Sequence, residues 1–498
     1  MKITFYGGAK TVTGANYLLD HGPVRGKTSL LEGSSADHAS EAGRTSNGIK
    51  ILVDCGLNQG SKYSEDMNYE KFAYDPAEIN FVFITHSHTD HVGRLPKLFK
   101  DGFRGRVIAS KPTIDLARSA LPDNLKIITE EAKRESREPI FELKDLDGVL
   151  GLAEGFDYEV PIDLGDGIRA VLHDAGHILG STIVEIDFDG PDAKSIEDPR
   201  FANHASHGAN RDKKIYFTGD LGNPPTPLLQ SPYFPKDADY AVVESAYGSR
   251  IHEDRSARKL ILENVIRETL FKGGTLMIPS FAMERTQELL YELNQFINHN
   301  QIPMVPIYVD SPLATNLTEV YKKYPNYFNK TAHHVIDSGD DIFNFPGLIF
   351  TKTVEQSKSI NDIKGPKIII AGSGMSTGGR ILHHEMRYLS DANSAILFVG
   401  YQVQGSLGRR ILDGEKEVKI FGEKIAVNCQ IRAIGGYSAH ADQNMLLKWI
   451  ASAGSGGNLK KVFVVQGEEE SSMVLAKKAK TDLKIDAVVP SLGDSFEL

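Results

Sequence analysis

The chain has 498 residues, too many for one ordinary hydrophobic core, so two or three domains are expected. Hydrophobic residues make up 41% and charged residues 24%, as in globular proteins, and no apolar run approaches the roughly 20 residues that a membrane span needs. The net charge of −10 excludes a uniformly basic protein, although a local basic groove can coexist with a negative remainder.

Cysteine usage and the first residues bear on the compartment. Cys55 and Cys429 are the two cysteines, too few for a disulfide framework, which favours a reducing environment. The N-terminal segment MKITFYGG is typical of a strand followed by a turn and does not have the pattern of a signal peptide. We therefore expect a cytoplasmic protein without membrane association.

Short apolar, β-branched runs recur along the chain and end in glycine, aspartate, serine or other polar residues. The runs predicted to be strands are 51–54, 81–85, 215–219, 241–244, 275–279, 307–310, 367–371, 395–400 and 462–466. Helical patterns at 256–271, 282–298 and 443–453 lie between them. Nearly all-apolar strands that alternate with helices indicate the α/β class, because such strands are covered on both faces.

Two segments have the composition of surface insertions. Residues 32–48 and 190–213 are rich in serine, asparagine, aspartate, glycine and alanine and have no hydrophobic period. They contain His38, His204 and His207, which we interpret as solvated loop residues rather than ligands.

The densest chemical signal is the segment THSHTDH, residues 85–91, directly after a predicted strand. On an extended chain His86 and His88 point the same way, whereas on a helix they would diverge. Asp90 and His91 follow where the chain turns into a helix. Several imidazoles and a carboxylate in so short a stretch suit a borderline cation such as Zn²⁺.

Further ligand-type residues follow other predicted strands. Asp54 closes ILVD, His177 lies in HDAGHILGS, Asp220 follows IYFTG, and His440 lies in GGYSAHAD. A single histidine is more often structural than a ligand. Together, however, these residues lie at the carboxyl ends of strands, where open α/β sheets bind ligands.

The order D…HxHxDH…H…D resembles motifs 1 to 4 of the metallo-β-lactamase superfamily. The segments VVESAYGSR, FAMERTQELL, DSPLA, GSGMSTGG, GYQVQGSLGRR and GGYSAHADQ are similar to the β-CASP branch, in particular to bacterial and archaeal relatives of the cleavage-and-polyadenylation endonuclease. The ending VFVVQGEEE…VVPSLGDSFEL is similar to the C-terminal element of the RNA-processing members.

The resemblance implies an αββα metallo-β-lactamase sandwich, built from residues 1–245 and 411–498, with an inserted β-CASP α/β domain at 246–410. It also implies two zinc ions per chain. One would be held by His86, His88 and His177, and the other by Asp90, His91 and His440, with Asp220 between them. Asp54 would anchor the HxHxDH loop, and Glu244 at motif A would orient His440 or assist proton transfer.

The chain departs from the family pattern at motif B, where the eukaryotic endonuclease has a histidine and this chain has Arg410. The identity of the acid that protonates the leaving oxygen is therefore open. His383 and His384 are candidate substitutes, with a helix-surface or packing role as the alternative. Arg409 and Arg410 are candidate phosphate ligands, because a guanidinium binds phosphate through paired N–H groups.

The glycine-rich turn 372–380, GSGMSTGGR, joins a predicted strand to a predicted helix. Its backbone N–H groups with Ser376 or Thr377 could cradle a phosphate, although a tight connection alone explains such a turn. Tyr247 and Tyr401 are candidates for base stacking, with a core role as the alternative.

The resemblance implies a zinc-dependent ribonuclease that hydrolyses single-stranded RNA with a dizinc-activated water, leaving 5′-phosphate and 3′-hydroxyl ends. The catalytic residues would be Asp90, Asp220, Glu244 and His440. Alternatives are a β-CASP DNA nuclease, whose motif C has a valine where this chain has His440, or a non-catalytic RNA-processing subunit. Endonucleolytic or 5′-exonucleolytic mode, RNA sequence preference and oligomeric state stay open, with a homodimer as one candidate.

Overall fold

The computed structural model describes residues 1–22, 48–60, 62–188, 212–252 and 257–498. Most of the two expected insertions, including His38, His204 and His207, lies outside these residues. Every strand and helix predicted from the sequence is present in the described part, with ends that differ by a few residues at most.

The first sheet combines an antiparallel and a parallel half. It consists, in spatial order, of β22 (Ser495–Glu497), β1 (Lys2–Gly7), β2 (Asn16–His21), β3 (Ile49–Val53), β4 (Phe81–Phe83), β5 (Arg106–Ser110) and β6 (Ala153–Phe156). Pairing is antiparallel from β22 to β3 and parallel from β3 to β6. The carboxyl ends of β3 and β4 therefore lie side by side, which brings Asp54 next to the HxHxDH loop.

The second sheet has the same mixed character. Its spatial order is β21 (Ala487–Val488), β20 (Lys461–Val465), β11 (Tyr240–Glu244), β10 (Lys213–Phe217), β9 (Thr182–Phe188), β8 (Ile168–Asp174) and β7 (Ile162–Gly165). The strands β10, β11 and β20 run parallel, so Asp220, Glu244 and Gln466 follow or end neighbouring strands at one edge.

The helices of the described residues are short except for a few that cover the sheets. They are α1 (Lys62–Asp66), α2 (Thr89–Val92), α3 (Leu95–Lys100), α4 (Lys111–Arg134), α5 (Leu143–Leu150), α6 (Arg258–Phe271), α7 (Arg285–Asn298), α8 (Pro312–Lys323), α9 (Lys330–Asp337), α10 (Val354–Ser359), α11 (Ile381–Tyr388), α12 (Leu407–Leu412), α13 (Gln443–Ala453) and α14 (Glu469–Asp482). Within the described residues, none is both long and apolar enough to cross a membrane.

Three layers of apolar contacts define a sandwich. One buried cluster joins the facing sides of the two sheets, with Phe5 and Phe83 from the first and Phe217 and Phe463 from the second. A second cluster joins the outer face of the first sheet to α3, α4 and α5, and a third joins the outer face of the second sheet to α13 and α14. The expected αββα arrangement is therefore confirmed, since each sheet buries one face on the other sheet and one on helices.

The third sheet is entirely parallel. Its order is β14 (Leu348–Phe350), β13 (Ile307–Val309), β15 (Lys367–Ala371), β12 (Thr275–Pro279), β16 (Ala395–Phe398) and β19 (Gln430–Ala433), and a hairpin of β17 (Glu417–Ile420) and β18 (Glu423–Ala426) packs on it. The pairing of β19 with β16 carries this sheet past residue 410, where the sequence suggested that the insertion ends. The domain boundaries, which the resemblance places after residues 245 and 410, stay predictions.

The inserted sheet shares a core with the sandwich. Leu179, from the loop after β8, and Leu116, from α4, belong to the same buried cluster as Phe296 and Phe328 of the inserted domain. Because Leu179 lies two residues after His177, this shared core sets the position of that loop relative to the insertion.

Candidate active site

The HxHxDH loop is held by a buried carboxylate. Asp54, at φ 61° directly after β3, accepts hydrogen bonds from the Thr85 backbone N–H (2.8 Å) and the Thr85 hydroxyl (2.8 Å). Its Oδ2 also lies 2.7 Å from His91 Nδ1. Gly56 lets the chain after Asp54 approach the loop, because a Cβ there would lie 1.5 Å from the Asp90 carbonyl oxygen. The loop is thus fixed by the neighbouring strand end.

Four donor atoms converge above the ends of β4, β8 and β10. His88 Nδ1 lies 3.1 Å from His86 Nε2 and 3.2 Å from His177 Nε2. Asp220 Oδ2 lies 3.4 Å from His86 Nε2 and 3.5 Å from His177 Nε2. All four atoms lie within 4.8 Å of one another, and His86, His177 and Asp220 are buried.

These separations fit ligand atoms gathered around one metal ion. Metal–nitrogen distances of about 2.0–2.1 Å require ligand atoms about 3.3–3.4 Å apart at the corners of a tetrahedron. The four measured edges, 3.1 to 3.5 Å, bracket that value. Imidazole nitrogens and a carboxylate oxygen are ligands that zinc takes in proteins, so the donor set suits a metal ion of that kind.

Asp220 reaches a second group of ligand-type residues with its other oxygen. Asp220 Oδ1 lies 3.3 Å from His91 Nε2, and Asp90 Oδ2 lies 3.7 Å from the same nitrogen. One carboxylate therefore lies between the His86, His88 and His177 group and the Asp90–His91 pair, as a bridging ligand would.

His440 lies close to Glu244 and to the same Asp220 oxygen that faces His86 and His177. His440 Nδ1 is 3.7 Å from Asp220 Oδ2 and 3.5 Å from Glu244 Oε1. Glu244, buried at the end of β11, accepts a hydrogen bond from the Leu221 backbone N–H (2.7 Å). Asp220, Glu244 and His440 thus form a second cluster with metal-ligand spacing, a grouping that the sequence did not predict for Glu244.

Burial sets the protonation state of the first histidine group. Burial lowers the pKa of His88, with His86 as the next cause, and burial likewise lowers the pKa of His177 and that of His86. These imidazoles are therefore neutral near pH 7, which is the form that binds a metal. At His91 burial also acts to lower the pKa, but the nearby carboxylates of Asp220 and Asp54 outweigh it and raise the pKa well above the usual range.

A cavity of about 470 Å³ lies between the ligand cluster and the inserted domain. On one side is the metal wall, which consists of His88, Asp90, His177 and His440. On the other is the insertion wall, which consists of Phe281, Met283, Met375, Tyr401 and Val403. The hydroxyl of Ser87, inside the HxHxDH loop, donates to the sulfur of Met283 at 3.3 Å, so the two walls touch beside the ligands.

The candidate phosphate residues of the glycine-rich turn have partners of their own. The Ser376 hydroxyl is buried and donates to Glu385. Thr377 lies 3.1 Å from the Ser373 hydroxyl, and its backbone N–H donates to the same oxygen (2.9 Å). In this arrangement neither hydroxyl is directed at the cavity, and their role in binding phosphate stays a prediction.

The two arginines at the motif B position also have carboxylate partners. Arg410 forms a fork with Glu415, with both N···O distances 2.7 Å, and Arg409 pairs with Asp413 at 2.9 Å. Neither arginine is among the described residues that line the cavity. A phosphate would have to replace these carboxylates, so the role of both arginines stays a prediction.

The histidines considered as substitute acids lie elsewhere. His384 is buried on α11, and its Nε2 lies 2.7 Å from Asp310 Oδ2. Arg380 donates to the other oxygen of the same carboxylate, Asp310 Oδ1. His383 lies beside the ring of Phe421, with ring centroids 4.8 Å apart. Both therefore have packing partners, in agreement with the structural alternative.

Sequence reasoning missed two residues near the ligands. Gln466 directly follows β20 with φ 48°, and its Nε2 lies 3.0 Å from His91 Nε2. Phe281, after β12, lies in the insertion wall with 46% of its surface exposed. The position of Gln466 at a strand end was a usable signal, whereas nothing in the sequence distinguishes Phe281 from a core aromatic residue.

The fold and the cavity define a metal-dependent hydrolase with a second domain over its active site. Family models match the chain in three places: a metallo-beta-lactamase superfamily domain at residues 45–196, a Beta-Casp domain at 286–411, and a Zn-dependent metallo-hydrolase RNA specificity domain at 424–490.

Similar proteins agree with these matches. The chain is 35% identical over 479 residues to Ribonuclease TTHA0252 of Thermus thermophilus, covering 96% of this chain and 95% of that protein. It is 29% identical to Transcription termination factor FttA of Methanocaldococcus jannaschii, covering 90% of this chain and 68% of that protein. The chain therefore belongs to the β-CASP branch of the metallo-β-lactamase superfamily.

A solved structure supports the fold alone. A protein of unknown function from Enterococcus faecalis aligns over 100% of this chain and 99% of its own, with a TM-score of 0.52 and 13% identity.

Proposed function

We propose that this protein is a zinc-dependent ribonuclease that hydrolyses single-stranded RNA and leaves 5′-phosphate and 3′-hydroxyl ends. The observation that carries the proposal is the convergent donor set of His86, His88, His177 and Asp220, next to a cavity that a second domain covers. The similarity to a ribonuclease over nearly the whole of both chains and the matched RNA specificity domain support RNA as the substrate.

The proposal includes two zinc ions per chain. His86, His88 and His177 would hold one and Asp90, His91 and His440 the other, with Asp220 between them. Zinc in this setting supplies Lewis acidity, which stabilises negative charge on phosphoryl oxygens and makes water a better nucleophile near pH 7.

The chain's own residues keep these groups in place. Asp54 accepts from His91 Nδ1, which fixes the tautomer that leaves Nε2 free to face Asp220. Glu244 is itself held by the Leu221 backbone N–H and lies against His440 Nδ1, so it orients that imidazole and can share its proton. Because Glu244 and Asp54 are buried, their carboxylates are already oriented before the substrate binds and need little rearrangement during the reaction.

The cavity suits a strand threaded between two walls. The metal wall offers imidazoles and a carboxylate, whereas the insertion wall is largely apolar. A single-stranded polynucleotide presents both kinds of surface, since its phosphates are charged and its bases are flat and apolar on their faces. A cytoplasmic location and a homodimer stay predictions from the sequence.

The direct test is cleavage of end-labelled RNA and DNA. Zinc-loaded protein is incubated with a single-stranded RNA and a DNA of the same sequence, and the ends of the products are determined. We expect cleavage of RNA with 5′-phosphate ends and at most slow cleavage of DNA. The variant His88→Ala, purified in parallel, controls for contaminating nucleases.

Three results would contradict the proposal. Equal rates on both polymers would favour a DNA nuclease of this branch. Products with 2′,3′-cyclic phosphates would show attack by the 2′-hydroxyl rather than by water. Binding of RNA without cleavage by fully metallated protein would identify a non-catalytic subunit.

A further inference from the structure

Large apolar side chains are exposed in the cavity opposite the metal ligands. Phe281 is 46% exposed, Tyr401 56% and Val403 47%, and all three lie in the insertion wall. An exposed aromatic side chain costs free energy in water, so a group of them beside a polar ligand cluster indicates a surface that receives a ligand.

These side chains come from neighbouring strand ends of the third sheet. Phe281 follows β12, Met375 follows β15 and Tyr401 follows β16, and β15, β12 and β16 are adjacent and parallel. The carboxyl ends of parallel strands are the usual place for ligands in open α/β sheets. The inserted domain therefore contributes its own ligand-facing edge to the cavity.

Two glycines make room for the ring of Phe281. A Cβ on Gly374 would lie 2.9 Å from Phe281 Cδ2, so a larger residue there would displace the ring. A Cβ on Gly400 would lie 3.7 Å from Phe281 Cε2, an ordinary contact. The ring thus packs with its inner side against two positions without side chains, while almost half of its surface stays open to the cavity.

The cavity joins this apolar surface to the hydrolytic ligands. The sulfur of Met283, two residues after Phe281, accepts a hydrogen bond of 3.3 Å from the hydroxyl of Ser87 in the HxHxDH loop. A ligand that fits has a charged group at the metal wall and a flat apolar group at the insertion wall, as a nucleotide does.

We propose that Phe281 and Tyr401 form a stacking platform that receives nucleobases next to the phosphodiester that is cleaved. This inference rests on the proposed function and extends it. Stacking uses the faces of the bases, so the platform accepts any base and requires the strand to be unpaired. It places the polymer with the phosphate at the metal wall and adjacent bases on the opposite side.

The first test replaces single bases of the substrate. RNA oligonucleotides with one cleavage site are made with an abasic residue at each position around that site. With the wild-type protein, kcat/KM should fall roughly tenfold or more at one or two positions, the loss expected from one stacked base. A flat profile across all positions would overturn the proposal.

The second test combines the Phe281→Ala variant with the abasic substrate, to learn whether Phe281 contacts the missing base. Phe281→Ala should lower kcat/KM on the intact RNA, and the sensitive abasic position should then cause little further loss. Losses that simply multiply would show that Phe281 does not contact that base. Phe271→Ala, at a side chain 94% exposed on α6, is the control and should leave kcat/KM unchanged.

The glycine pair gives a test that removes no aromatic group. Gly374→Ala should shift the Phe281 ring and reproduce most of the Phe281→Ala loss, whereas Gly400→Ala should behave as the wild type. Equal behaviour of the two variants would overturn the packing argument. Thermal unfolding midpoints of all variants show whether a loss reflects the platform or the fold.

Binding separates this inference from the proposed function. The His88→Ala protein is mixed with RNA that carries the fluorescent base 2-aminopurine at each position in turn. If RNA binding quenches the fluorescence at one position, and if adding Phe281→Ala abolishes this quenching, the platform is supported. This holds even if the wild-type protein cleaves no RNA, in which case only the proposed function fails. Binding without quenching at any position overturns the platform even if cleavage is efficient.

Discussion

The two walls of the active-site cavity follow different rules. The metal wall is partly buried, and short contacts fix the ligand loop behind it, such as the 2.7 Å approach of His91 Nδ1 to Asp54 Oδ2. The insertion wall exposes Phe281, Tyr401 and Val403, which no partner in the described residues covers. One wall is preorganised before a substrate arrives, whereas the other gains its main contacts only when a substrate binds.

This difference predicts how each wall responds to substitution. Removal of a preorganised polar group leaves its buried neighbours without a partner, so the loss is large and reaches the metal. Truncation of an exposed aromatic side chain removes a contact to the substrate and leaves the fold and the metal unaffected. Metal content and substrate affinity therefore report on different walls.

The largest effect is expected from His88→Ala. His88 Nδ1 lies 3.1 Å from His86 Nε2 and 3.2 Å from His177 Nε2, at the centre of the donor set. Its loss should therefore remove at least one metal and lower kcat/KM by roughly 10³-fold or more. His299→Ala, at an exposed histidine that ends α7, is the matched control. A His88→Ala protein that keeps full metal content and activity would remove the distinction between the walls.

A smaller effect is expected from Asp54→Asn. Asparagine keeps the shape of the side chain, but an amide in place of Oδ2 would oppose the N–H of His91 and disturb its tautomer. We expect a loss of about 10- to 100-fold in metal affinity or in kcat/KM, the usual range for a carboxylate behind a metal-ligating histidine. Competition with a chelator measures the affinity, and Asp123→Asn on the surface of α4 is the control. Unchanged metal retention would show that Asp54 only stabilises the loop.

The smallest effect concerns Arg410, whose guanidinium is exposed and already forked onto Glu415. If Arg410 binds substrate phosphate, Arg410→Ala should lower kcat/KM by about fivefold at low salt, in line with an exposed charge contact. Glu415→Gln should do the opposite, because it frees the guanidinium, and RNA binding should tighten. An Arg410→Ala protein with unchanged kcat/KM would leave Arg410 with a structural pairing alone.

The clustering of the candidate metal ligands could be expected from the sequence for a physical reason. Histidines and carboxylates are uncommon at strand ends unless they bind something, so His86, His88, His177 and Asp220 could be recognised from their positions. The fold class was equally visible, because apolar strands that alternate with helices need cover on both faces. The contact between His440 and Glu244, however, joins residues far apart in the chain, and only the resemblance at motif A implied it.

The insertion wall could not be predicted in the same way. Phe281 has the sequence environment of a core residue, and nothing local indicates that its ring packs closely on Gly374 with almost half of its surface exposed. The pairing of Arg410 with Glu415 and of Ser376 with Glu385 was also not evident, since these side chains come together only in the folded chain. Phosphate-binding roles inferred from residue type alone therefore needed the structure to reveal competing partners.

The most direct test of the account is the metal content of the purified chain. Protein prepared with excess zinc and then freed of unbound metal is measured by elemental analysis, alongside His88→Ala. The account predicts close to two zinc ions per wild-type chain and at least one fewer in the variant. One zinc or none in the wild-type protein would contradict the two-ion ligand set around Asp220.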